Sequence, residues 1–182
     1  MTTLLKYFEQ GLSLEQYINQ MNVNKAEMHK IYESFELPND ERLLQLKDKH
    51  LKAIAITEDW CGDAMMNLPV LMKIAEVAEF PISVIMRDSN LELMDQYLTN
   101  GARSIPIFIF LDQDNTEFAV WGPRAQTIQE YVVDIRKDLP AKDDTDFEVK
   151  QKEVHQQIHE KFKNTPEFWN EVYESIMTQL TK

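Results

Sequence analysis

The sequence predicts an α/β fold: a four-stranded mixed sheet flanked by helices, with helical extensions at both ends. Three observations carry this. Short apolar runs at 52–57, 82–86 and 106–111 have the length and β-branched content of strands. The segments between them carry helical spacing, and a turn at 112–115 leads into a fourth run at 117–121, as in a hairpin. Over 51–138 the order reads β-α-β-α-β-β-α.

The elements follow in chain order. Residues 1–50 read as short amphipathic helices. Ser13 with Gln16 forms a capping box ahead of Leu14, Tyr17, Ile18 and Met21. Asn24 with Glu27 repeats the device ahead of Met28, Ile31, Tyr32 and Phe35, and Pro38 ends that helix. Asn39 is expected to cap a third helix holding Leu43, Leu44 and Leu46. Lys52–Thr57 is nearly continuous in apolar residues and suits a strand covered on both faces. A helix is expected from Cys61 to Glu79, a strand over Ile82–Met86, and a short helix over Leu91–Leu98 stopped by Asn100-Gly101. After the hairpin, Ile128, Tyr131, Val132 and Ile135 stripe a closing helix. Residues 139–182 add two helices, Phe147–Lys163 and Pro166–Leu180, with Thr165 as cap and Pro166 at the first helical position. Both end sections have an apolar face, so they are expected to pack with the 51–138 section as one unit.

Composition narrows the function classes. A chain of 182 residues, 43% hydrophobic and 27% charged, is globular and long enough to bury a full core. Its net charge of −12 repels phosphate backbones and anionic lipid, so neither nucleic acid nor membrane is an expected partner. No apolar stretch approaches the roughly 18 residues of a membrane span. The first residues lack a secretion-signal pattern, which makes the cytoplasm the expected location. One cysteine excludes an internal disulfide and a cysteine-rich zinc site. With four glycines and no phosphate-loop or dinucleotide fingerprint, no cofactor is expected.

Chemistry concentrates in residues 57–71, TEDWCGDAMMNLPVL. Cys61 sits where a strand ends and a helix begins, a place where free N–H groups and the helix dipole favour a thiolate. Glu58, Asp59 and Asp63 oppose this by favouring the neutral thiol. A cysteine taken at random is more often a small buried hydrophobe. Its tryptophan neighbour and junction position point instead to an exposed, functional thiol.

Trp60-Cys61-Gly62-Asp63 resembles the start of the Trp-Cys-Gly-x-Cys loop of the thioredoxin superfamily. Pro69, eight positions after Cys61, matches the proline of the family's active-site helix. Ser104-Ile105-Pro106 matches its cis-proline, and Gly122 its glycine after the hairpin. The resemblance spans 51–138 and is nearest to the larger bacterial proteins whose loop reads Trp-Cys-Gly-Asp. It implies that Cys61 is the nucleophile, held by N–H groups of the turn through Gly62 and Asp63. It also implies a substrate-binding surface of Trp60, Gly62, Asp63, Ile105 and Pro106, in which Trp60, Ile105 and Pro106 form the lip, with Arg103 in the same loop. Met65 and Met66 follow directly and would line the thiol's surroundings.

The departures matter as much. Ala64 stands in place of the second cysteine, and Ala55 in place of the buried carboxylate that helps deprotonate it. A dithiol cycle within the chain is therefore excluded. Of two functions, the first is the expected one and the second its alternative. One is monothiol exchange on protein or low-molecular-weight disulfides, with an external small thiol as resolver. The other is a non-catalytic thioredoxin-fold binding or adaptor module. The retained Trp60–Cys61 pair favours the first, and the acidic neighbours with the missing carboxylate favour the second. His155 and His159, four apart on one helix, have metal-ligand spacing, but no third ligand accompanies them and no metal site is expected.

Overall fold

The apolar runs form the centre of the molecule in the computed structural model, which describes residues 3–182. Strands β2 (Lys52–Thr57), β3 (Ile82–Met86), β4 (Ile107–Leu111) and β5 (Glu117–Trp121) are joined by a fifth, β1 (Leu12–Ser13). The sheet order is β1-β3-β2-β4-β5. β2 and β3 are parallel, connected through helix α5 (Gly62–Ala78), and the other pairs are antiparallel. The expectation of four strands is thus one short. The two residues of β1 are too few to show a period, and their pairing with Ser83 and Val84 is a tertiary event.

Alternation divides each strand between two faces. Ala53, Ala55, Val84, Phe108 and Phe110 join the cluster that holds Met66, Leu71 and Ile74 of α5. Ile54, Ile56, Ile85, Ile107 and Ile109 join Tyr7 of α1 (Leu4–Gln10) and Leu93 and Met94 of α6 (Leu91–Met94). Sequence reading did not place α1, although Thr3 accepts from Lys6 N–H as its cap and Tyr7 covers the second face. α6 ends at Met94, sooner than expected, and Asn100 and Gly101 adopt positive φ in the turn beyond it.

Helices α2 (Leu14–Gln20), α3 (Lys25–Ser34) and α4 (Glu41–Lys47) pack on the first face, as do α7 (Gln126–Arg136), α8 (Phe147–Asn164) and α9 (Pro166–Leu180). Tyr17, Ile31 and Leu46 from the first extension share one core with Phe162, Trp169 and Tyr173 from the last. Enclosed between these helices and the sheet, α5 is buried without a break from Ala64 to Leu71, and Pro69 lies within it. No helix among the described residues is long and apolar enough to cross a membrane.

Ser13 caps α2 through a complete capping box. Two other expected caps are corrected. Asn24 adopts a left-handed conformation and makes no side-chain cap bond, because its amide is used elsewhere (below). The cap of α4 is Asp40, not Asn39. Thr165 precedes Pro166 as expected but makes no side-chain bond to the helix.

Asp40 also joins the two extensions. It accepts from Arg42 N–H, pairs with the Arg42 guanidinium at 2.6 Å and accepts from Tyr173 Oη at 2.8 Å. The Arg42 hydrogen bonds hold its carboxyl down at about 2, against an ordinary 3.8. Because the folded-state value is depressed, this stabilisation is complete above pH 4 and is lost as pH falls toward 2. Asp40→Asn is expected to cost roughly 1–2 kcal/mol at neutral pH. It should also flatten the loss of stability between pH 4 and 2, as followed by urea unfolding.

Candidate functional site

The C-terminal end of β2 and the N-terminal end of β4 lie side by side, with Ile56 opposite Ile107. This register brings the two segments singled out in the sequence together. Cys61 is the N-cap residue of α5, and its Sγ accepts from Ala64 N–H at 3.4 Å. The thiol donates to the Ile105 carbonyl, also at 3.4 Å. The Ile105–Pro106 peptide is cis, as is Gly122–Pro123.

Cys61 is only 7% exposed, which corrects the expectation of an exposed thiol. Burial pushes the thiol up to about 11, and the charge of Asp63 adds to the effect. The N–H groups of Ala64 and Asp63 and the cation of Arg124 oppose this and lose. At neutral pH the thiol is protonated.

The acidic shell around it is already engaged. Glu58 accepts from Asp88 N–H at 2.9 Å. Asp59 accepts from Asn22 and Val23 N–H at 2.8 and 3.3 Å, while Asn24 donates to its carbonyl at 3.1 Å. Asn24 Oδ1 in turn lies 3.0 Å from His159 Nε2 of α8. The carboxylate of Asp63 meets the Arg124 guanidinium in a two-point pair at 2.7 and 2.8 Å, with both side chains largely buried. Burial raises the Asp63 carboxyl and Arg124 restrains the rise.

Of the expected lip, Ile105 and Pro106 are buried beside the thiol, and Trp60 is half exposed. The Arg87 guanidinium lies over the Trp60 ring, 4.9 Å from its centroid. Gly62 opens onto free space. Two clefts meet at this point, and Cys61 lines both. One, of about 410 Å³, runs past Arg87, Arg103 and Ile105. The other, of about 380 Å³, runs between the loop and α7–α8, past Arg124, Arg136 and His155.

Sequence reading missed Arg87, Arg124 and Arg136. No spacing rule links them to Cys61, because they arrive from three separate elements. The usable signal was scarcity: the chain has five arginines, and four line these two clefts. His155 and His159 reach the second cleft, but among the described residues no group of three His, Cys, Asp or Glu is placed to hold a metal.

A protein-family model described as Thioredoxin matches residues 11–142. No curated protein matches the sequence. Among solved structures, the chain is similar to a protein of unknown function from Pseudomonas aeruginosa. The TM-score is 0.65 and the identity 14%, over 98% of this chain and 99% of that one. It is also similar to an HIV epitope-scaffold, with TM-score 0.63 and 14% identity over 97% and 99% of the two chains. At such identities the likeness is one of fold, and it extends through the helices at both ends.

Proposed function

The chain belongs to the thioredoxin family, and from that premise we propose that it is a binding module whose ligand site occupies the place of the family's redox centre. One observation carries this reading: Cys61 is buried, protonated at neutral pH and hydrogen-bonded to Ile105. A neutral thiol is a poor nucleophile. Ala64 and Ala55 stand in place of the resolving cysteine and its carboxylate, so the chain has no second thiol to complete an exchange cycle. The two clefts at Trp60 supply the concave surface that a ligand needs.

A second reading draws on the fact that both clefts reach Cys61 and that its sulfur receives the Ala64 N–H. In it the Cys61 thiolate attacks the small-thiol sulfur of a mixed disulfide and releases the partner thiolate. A second small thiolate then attacks the small-thiol sulfur now bonded to Cys61, leaving as a small-molecule disulfide and regenerating the Cys61 thiolate.

Iodoacetamide alkylation of the native protein across pH separates the two, because no other thiol contributes. The expected midpoint is about 11, with no turnover of mixed-disulfide substrates above that of Cys61→Ser. A midpoint below the reference of about 8.5, with turnover that Cys61→Ser abolishes, sinks the binding-module reading in favour of monothiol exchange.

A further inference from the structure

We propose that the cleft between Trp60 and the end of α7 binds a small organic monocarboxylate, whose carboxylate is taken by Arg136 and whose apolar body rests on Ile158 and Phe162. The inference rests on the reading of this cleft as a ligand site and names its ligand class.

Pairing singles out Arg136. Arg42, Arg87, Arg103 and Arg124 each have a carboxylate within ion-pair distance. Among the described residues Arg136 has none, although the chain carries 31 acidic side chains. Its surroundings intensify the lack. Desolvation by its neighbours and the nearby cation of Arg124 lower its proton affinity, and the carboxylate of Asp63, already paired with Arg124, offsets them only in part. An arginine in the last turn of a helix also gains from the helix dipole. That gain explains a position on the helix, not one facing a cleft whose one carboxylate, Asp63, is already paired with Arg124.

Charge within the lining decides the valence. Asp63 and Arg124 cancel each other. Desolvation by its neighbours and the Arg136 cation lower the proton affinity of His155, and the His159 ring is engaged with Asn24 Oδ1. With Cys61 neutral, Arg136 leaves the arginines and carboxylate of the lining with one net positive charge. A monoanion matches it, whereas a phosphate dianion would require His155 to take up a proton against both influences. The planar guanidinium fork suits a carboxylate in two-point contact.

The rest of the lining selects the body of the ligand. Ile158 and Phe162 form an apolar floor, and Trp60 is a half-exposed aromatic wall at the rim. The volume of about 380 Å³ lies at the small end of the roughly 300–1,000 Å³ found for small-molecule sites.

The test is a titration of the ¹⁵N-labelled full chain with sodium benzoate, using benzamide as the uncharged analogue. Chemical shifts of the Trp60 indole and of the arginine Nε–H groups are followed. Benzoate is expected to saturate, with shifts at Trp60 and Arg136, and benzamide is not. Arg136→Gln should weaken benzoate binding by about tenfold or more, the effect of losing a charged hydrogen bond. Lys137→Gln, whose lysine pairs with Asp134 outside the cleft, should leave it unchanged. Shifts confined to other sites in the unmodified chain, equal binding of benzamide, or unchanged affinity in Arg136→Gln each overturn the proposal. The outcome is separable from that of the alkylation experiment. Benzoate binding with a thiol midpoint below 8.5 removes only the protonated-thiol reading. Failure of benzoate with a midpoint near 11 removes only this inference.

Discussion

Replacing Arg124 by glutamine is expected to destabilise the protein by about 3–5 kcal/mol at pH 7, the usual effect of stranding one member of a buried ion pair. Asp63 is 14% exposed and Arg124 17%, so the remaining carboxylate has little water to replace its partner. The pH dependence provides a second signature. Burial already raises the Asp63 carboxyl in the folded state, and losing Arg124 removes the group that restrains it. A carboxyl raised in the folded state destabilises only where its unfolded counterpart is ionised, above about pH 4. The deficit of Arg124→Gln should therefore shrink as pH falls through 4, and Asp63→Asn on the same background should recover much of it. Urea unfolding at pH 7 and pH 3.5 measures both effects. An equal deficit at the two pH values would show that the pair carries no buried charge.

Gly122→Ala is expected to have an effect of similar size. Gly122 has φ of +125°, and an added Cβ would fall 2.3 Å from the Pro106 carbonyl oxygen and 3.3 Å from Ile107 Cα. Both obstacles are backbone, so no side-chain rotation relieves them. Strain at positive φ and overpacking together amount to about 2–6 kcal/mol. The clash presses on the segment whose Ile105 carbonyl accepts from Cys61. Loss of thermal stability should thus come with faster reaction of Cys61 with an aromatic disulfide under native conditions. A stable variant with unaltered thiol reactivity would mean that this contact does not hold the lip in place.

These two residues also show what sequence could and could not reveal. β2 and β3 run over the residues that periodicity and β-branching indicate, because a strand buried on both faces writes its boundaries into consecutive apolar positions. The long helices of the C-terminal section were legible for a similar reason: their stripes repeat over several turns. β1 has no such length. The cap at Asn24 failed because a tertiary use of its amide, toward Asp59 and His159, outcompeted the local one.

The site was readable only in part. The Trp60–Pro69 segment and Ile105-Pro106 were visible as motifs, and the register of β2 with β4 brings them together. Thiol burial was not visible, since it depends on Ile105, 44 positions away, and on the packing around the loop. The Asp63–Arg124 pair spans 61 positions, and no local rule foretells it. The acidic neighbours were legible in part, since the charge of Asp63 does favour the neutral thiol. In the folded chain those carboxylates are spent on backbone N–H groups and on Arg124.

The Asn24 bridge has a consequence for how the molecule comes into being. Its contact with His159 spans 135 positions, whereas its bond to Asp59 spans 35. During synthesis the Trp-Cys loop and the first extension emerge well before α8, so the second cleft cannot close until that later segment has left the ribosome. A nascent chain therefore carries this cleft without its α8 wall until that helix docks.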